Sequence, residues 1–207
     1  LDPVKAAPLA DAALTPYHAI AKARDKLHAG STAVVIGCGG LGQTAIQLLK
    51  ITSAARVIAI DADDRKLERA RALGADAVLR ADASADALRR ETSGVGADLV
   101  LDIVGSDATL ALGAKALRPE GRLAIIGLAL GTLPVNFFAL PYGAEVATSY
   151  WGTATELMEL VELAAGGKLR MDVETFPLAQ APEVYERLRR GEIHGRAVIV
   201  PEAADRT

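Results

Sequence analysis

The stretch Val34–Leu49, VVIGCGGLGQTAIQLL, sets four glycines within six positions between an apolar run and an amphipathic one. Glycine weakens both strands and helices, so the arrangement is costly unless the backbone between them must come close to something. Gly37, Gly39 and Gly42 fall in the pattern G-x-G-x-x-G. In that pattern the first glycine permits a tight turn and the second lets the backbone approach a pyrophosphate. The third lets the helix pack against the strand, while free amides and the dipole at the helix start attract the anion. A glycine-rich turn alone is weak evidence, because many such turns hold nothing.

Working outward, short runs rich in Val, Ile and Leu recur on both sides: Thr32–Gly37, Arg56–Asp61, Asp76–Arg80, Ala97–Gly105 and Gly121–Leu130. They read as strands buried on both faces. Between them Gln43–Thr52, Asp63–Leu73, Ser84–Thr92 and Asp107–Leu117 carry apolar residues at spacings of three and four and read as crossover helices. Asp63 or Asp64 can cap the second of these, and Gly74 suits a left-handed stop. Strand alternating with helix predicts an α/β, doubly wound parallel sheet of the Rossmann kind. The rhythm breaks at GTLPVNFFALPYG (Gly131–Gly143), read as irregular chain. A strand over Glu145–Ser149, helices over Thr155–Ala165 and Ala179–Arg189, and a closing strand RAVIV (Arg196–Val200) are expected after it.

Within this frame the glycine loop follows a strand and opens a helix. Asp61 ends the second strand, 19 positions after Gly42. An acidic side chain there accepts hydrogen bonds from an adenosine ribose, which raises the motif from a turn to a dinucleotide site. Its charge would repel a 2′-phosphate, favouring NAD over NADP.

Composition excludes other classes. The 207 residues are 51% hydrophobic and 24% charged, with a formal net charge of -3, enough for a sizeable core and without a basic field for nucleic acid. No apolar run approaches the roughly 18 residues of a membrane helix, and no secretion signal is seen, so a cytoplasmic location is expected. The single cysteine, Cys38, builds neither an internal disulfide nor a thiolate zinc site.

From about Ala7 to Pro201 the chain resembles the zinc-dependent medium-chain alcohol dehydrogenases, in particular the bacterial secondary alcohol dehydrogenases. The segments APLADAALTPYHAI, GCGGLGQTAIQLLK, VIAIDADDRKLERARALGAD, SYWGT and GRAVIVP carry the resemblance. In that family a zinc-binding catalytic domain precedes the cofactor domain. The resemblance implies that this portion is missing here, consistent with a chain that opens at Leu1 without methionine. The expected division is an opening segment and helix over 1–28, the NAD-binding core over 29–150, and last helices with a closing strand over 151–207.

The resemblance also implies roles. Asp11 stands where the family places a third catalytic zinc ligand, although a lone Asp near a helix start is otherwise a cap or a solvated charge. Thr15, four residues on and expected on the same helix face, would border the nicotinamide. The amides of Gly40 and Leu41 match pyrophosphate contacts, Lys66 a lysine on the adenosine ribose, and Arg196 an arginine on the pyrophosphate. Without the resemblance, Lys66 is a solvated helix residue and Arg196 a charge opening an edge strand. Ile126, Gly127 and Leu128 match a segment whose backbone touches the nicotinamide amide, while core packing is their ordinary reading. Trp151, with Tyr150, would lie near the substrate or serve as an interface aromatic. His18, His28 and His194 share no ligand spacing and read as surface or packing residues. Cys38 reads as a small filler that thiol reagents could reach, and Asp102 as an acceptor for loop backbone.

The implied chemistry is hydride transfer between a secondary alcohol or its ketone and NAD, with zinc in the complete enzyme as Lewis acid. Family members are dimers or tetramers, often pairing near Pro134–Ser149, where Phe137, Phe138 and Tyr142 could form an apolar patch. The alternatives are a zinc-free quinone or enoyl reductase and a non-catalytic NAD-binding module.

Overall fold

The computed structural model describes residues 1–201, and of residues 83–85 the backbone alone. Its strands are β1 (Thr32–Ile36), β2 (Arg56–Asp61), β3 (Ala77–Arg80), β4 (Ala97–Asp102), β5 (Leu117–Ile125), β6 (Glu145–Thr148), β7 (Val173–Pro177) and β8 (Arg196–Val200). Its α-helices are α1 (Pro3–Ala6), α2 (Leu14–Lys22), α3 (Gly40–Thr52), α4 (Asp64–Ala72), α5 (Ser84–Glu91), α6 (Asp107–Ala116), α7 (Ala154–Ala165) and α8 (Ala181–Arg189). The first six strands form one sheet in the order β3-β2-β1-β4-β5-β6, every pairing parallel. This is the doubly wound Rossmann arrangement, with its topological switch between β1 and β4.

Strand alternation divides the core between the two faces. Ala33, Val35, Val57, Ala59, Leu99 and Leu101 pack with Ile46 and Leu49 of α3, Leu67 of α4, Ile20 of α2 and Leu160 of α7. Val34, Ile36, Ile58, Ile60, Val100 and Leu123 turn to the other face, where Leu88 of α5 and Ala116 of α6 meet them. The central strands are therefore apolar at nearly every position, because both faces are covered. Asp63 caps α4 by accepting the Arg65 amide at 2.9 Å, and Gly74 ends the following turn at φ +105.

Several boundaries differ from the sequence-based expectation. Helix α3 begins at Gly40 rather than Gln43, so its first turn is built from the glycine loop itself. Strand β5 starts at Leu117 and ends at Ile125, short of Leu130. It ends there because the amides of Ile126 and Gly127 both turn to the Asp102 carbonyl, at 2.8 and 3.0 Å, leaving the ladder. RAVIV does form a strand, but it pairs with β7 in a separate two-stranded parallel sheet, and β7 was not anticipated. In the opening segment, where Asp11 was expected near a helix start, residues 9–13 form a π-helical turn ahead of α2. Residues 202–207 of the expected third segment lie outside the described residues.

Candidate functional site

The glycine loop joins the carboxyl end of β1 to α3, beside the topological switch point, where open α/β sheets form a crevice. Gly37 takes φ +94, and a Cβ on it would lie 2.8 Å from Val104 on the neighbouring β4 loop. A Cβ on Gly42 would sit 1.9 Å from the Gly37 carbonyl oxygen, so only glycine lets α3 start this close to the strand it leaves. Gly39 differs from both, because nothing lies within 4 Å of where its side chain would begin. The loop is thus tight on the protein side and open on the other. Gly39 also caps α3 without a side chain, so the first amides of a 13-residue helix face that space unsatisfied by any cap. A dinucleotide pyrophosphate fits this combination of space, amides and dipole.

Asp61 ends β2 and reaches under the loop. One carboxylate oxygen accepts the Cys38 amide at 2.7 Å and the other the Asp63 amide at 3.0 Å. Each oxygen keeps a further acceptor position, so the side chain fixes the loop and can still receive a ribose hydroxyl. Lys66 lines a groove of about 560 Å³ together with Gly39, Gly40, Arg65 and Gly195. Cys38 is fully buried, and burial reinforced by the Asp61 carboxylate pushes its thiol up to about 12. The expected access of thiol reagents is therefore absent: Cys38 is a buried filler whose Sγ faces the Ile60 carbonyl at 3.6 Å.

The other expected residues fall into two groups. Ile126 and Gly127 have spent their amides on the Asp102 carbonyl, which leaves carbonyls for any contact, and Leu128 is exposed. Asp102 is fully buried and accepts the amides of Val104 and Gly105 at 2.9 Å each, as a loop acceptor should. Trp151 is exposed, takes φ +51 and stacks on Tyr150 with ring centroids 4.4 Å apart. His18 is held by Glu156, with Nδ1 at 2.9 and 3.0 Å from its two oxygens. His28 binds the Ala29 carbonyl, and the His194 amide donates to Glu174 at 2.6 Å.

Asp11 and Thr15 differ in exposure: Thr15, in α2, is buried, while the Asp11 side chain, in the π-helical turn that precedes α2, is 52% exposed. The Asp11 carboxylate makes an ion pair with Arg196, 185 positions away, which sequence reading had no means to find. The turn is also tied to α3, since the Thr44 hydroxyl donates to the Ala12 carbonyl. Among the described residues no three His, Cys, Asp or Glu side chains gather where they could hold a metal. Asp11 alone does not make a zinc site, and no chemical step is assigned to zinc in this chain.

Comparison with known proteins places this arrangement. A family model described as zinc-binding dehydrogenase matches residues 40–166. An NAD-dependent alcohol dehydrogenase of Sulfurisphaera tokodaii is 34% identical over 206 residues, 97% of this chain and 59% of that protein. An alcohol dehydrogenase of Geobacillus stearothermophilus is 33% identical, over 94% of this chain and 57% of that one. The crystal structure of the alcohol dehydrogenase from Aeropyrum pernix superposes with a TM-score of 0.89 at 39% identity, covering 95% of this chain and 58% of that chain. This chain therefore spans a little under three fifths of the length of these relatives. With the family model covering more than half its residues and starting on the glycine loop just described, the chain belongs to the zinc-binding dehydrogenase family.

Proposed function

We propose that this chain is the NAD-binding part of an alcohol dehydrogenase, which binds the dinucleotide by itself and carries out no oxidation alone. The single observation that carries the reading is the glycine loop, closed on its inner side at Gly37 and Gly42 and open at Gly39, with Asp61 bonded to it. The amides of Gly40 and Leu41 would receive the pyrophosphate, and Asp61 and Lys66 the adenosine ribose. Thr15 and the carbonyls of Ile126 and Gly127 would border the nicotinamide, with Trp151 toward the substrate. The bound nicotinamide supplies hydride acceptance and donation. The protein's own part is to fix the ring through its phosphates, so that one face meets the substrate.

In this reading residues 29–150 are the cofactor domain, and 1–28 and 151–207 flank it. A longer protein would supply the remaining zinc ligands beside Asp11 and close the cleft on a secondary alcohol or ketone. The names of the relatives support an alcohol as substrate and NAD as partner. No helix among the described residues is long and apolar enough to cross a membrane, which supports a cytoplasmic reading. Phe137, Phe138 and Tyr142 are strongly exposed beside edge strand β6, which supports a homodimer or homotetramer.

Calorimetric titration tests the reading. NADH should bind, and NADPH should bind at least about tenfold more weakly, a difference of about 1.4 kcal/mol, because its 2′-phosphate meets Asp61. Equal affinities would remove Asp61 from the ribose, and no binding of either would remove the cradle.

A further inference from the structure

Arg196 lies across the mouth of the cradle. Its stem crosses Gly40 so closely that a Cβ on that residue would be 2.7 Å from Cδ and 3.5 Å from Nη1. The same guanidinium reaches back through Nη2 to the carboxylate of Asp11. Three segments meet here: the start of β8, the first turn of α3 and the π-helical turn, the last two also joined by Thr44 and the Ala12 carbonyl. The backbone of Arg196 is fixed, its amide donating to the Asp172 carbonyl at 2.9 Å, so only the side chain has freedom to change partner.

We infer that in this chain, where no second or third metal-ligating side chain joins Asp11 among the described residues, Asp11 is an internal competitor of the dinucleotide, occupying Arg196 until the pyrophosphate takes the guanidinium from it. This rests on the cradle assigned above and adds a residue that sets cofactor affinity without touching the cofactor. Arg196 stands against the helix start at Gly40, within reach of a phosphate bound there. A guanidinium forks to two acceptors in one plane, and a carboxylate and a phosphate compete for the same donors. The pair is half in water, with side chains 35% and 52% exposed for Arg196 and Asp11, so it is weak enough to yield to a doubly charged ligand.

A double-mutant cycle on NADH binding, followed by nicotinamide fluorescence, separates this from simple repulsion. Asp11→Asn should bind NADH about two- to fivefold more tightly than the parent chain, the range that release of one exposed ion pair allows. Arg196→Gln should bind more weakly, and adding Asp11→Asn to it should change nothing, because the competitor acts only through Arg196. An unchanged or weakened affinity in Asp11→Asn overturns the inference. So does a gain that persists by more than half on the Arg196→Gln background, which would be direct repulsion. Asp11→Ala is measured beside Asp11→Asn with thermal unfolding of each. If neither keeps the fold, the pair is a structural clasp and the inference fails. If the parent binds no NADH, the cradle assignment falls together with it; if the parent binds and Asp11→Asn is no tighter, only this inference falls.

Discussion

Gly39 and Gly42 stand three positions apart in one loop, yet a side chain would meet open space at the first and the Gly37 carbonyl, at 1.9 Å, at the second. The two should therefore fail differently. Gly39→Val should leave the unfolding transition close to that of the parent and remove NADH binding, since the new methyls occupy the space kept for phosphate. Gly42→Ala should lower stability by about 1–3 kcal/mol or more, because overpacking against backbone cannot be relieved by a rotamer change. Denaturant unfolding and NADH titration of both variants check this pair, and retained binding in Gly39→Val would mean that the glycines serve only the turn. Asp102 offers a second contrast. One oxygen accepts two loop amides, while the other is buried without a partner among the described residues. Asp102→Asn keeps the acceptor and should cost little. Asp102→Ala strands the amides of Val104 and Gly105 and should cost about 1–3 kcal/mol for the lost partners. Equal losses in the two variants would show that charge, rather than acceptor geometry, is what the loop uses.

At the scale of elements, α7 is fastened to α2 by polar groups as well as by Leu160. Thr153 caps α7 by accepting the Glu156 amide at 3.2 Å, and Glu156 returns to accept the Thr153 amide at 2.7 Å while holding His18 of α2. Tyr17, next to His18, donates to Glu159 at 2.6 Å, and burial followed by that carboxylate pushes its hydroxyl up to about 12. Burial alone would raise the Glu156 carboxyl, but the Thr153 amide and His18 outweigh it, so its pKa lies below the ordinary 4.5. A group with a lowered folded pKa stabilises fully above its unfolded value and loses that contribution as pH falls through the folded one. Glu156→Gln should therefore be less stable than the parent at pH 7 and converge with it in acid. Urea midpoints across that range decide, and a gap that stays constant would mean that Glu156 acts by packing. The capping box stands in the sequence as T-x-x-E at Thr153, a signal that the expected start at Thr155 passed over, whereas β1 and β2 were legible because strands buried on both faces are written as continuous Val and Ile. The early start of β5 was not, since its Arg118, Pro119 and Glu120 carry no strand preference and are held by pairing of Ala97 with Leu117. The π-helical turn at Leu9–Ala13 is composed of ordinary helix formers, so no local signal marks it. The candidate site divides in the same way: loop and Asp61 follow from local spacing, whereas the tie of Asp11 to Arg196 exists only once the chain is folded.

For the molecule as a whole, the separation of binding from chemistry follows from which groups the fold brings together. The cradle is assembled within one contiguous stretch, from Gly37 to Lys66, on a sheet whose core is closed on both faces. Oxidation of an alcohol asks for more. A catalytic zinc needs three protein ligands and an open position. Of the side chains that could serve, Cys38 is buried within the glycine loop, and His18 is engaged by Glu156. The His28 ring meets the Ala29 carbonyl and His194 stands beside Glu174, and among the described residues neither joins Asp11 in a metal-holding group. The purified chain should therefore bind NADH and yet show no turnover when supplied with zinc, NAD and a panel of secondary alcohols. Absorbance of reduced nicotinamide measures it. Turnover on the order of 1 per second, the scale of ordinary enzymes, would show that these residues build a complete active site and that the ligand set inferred for the longer protein is the wrong one.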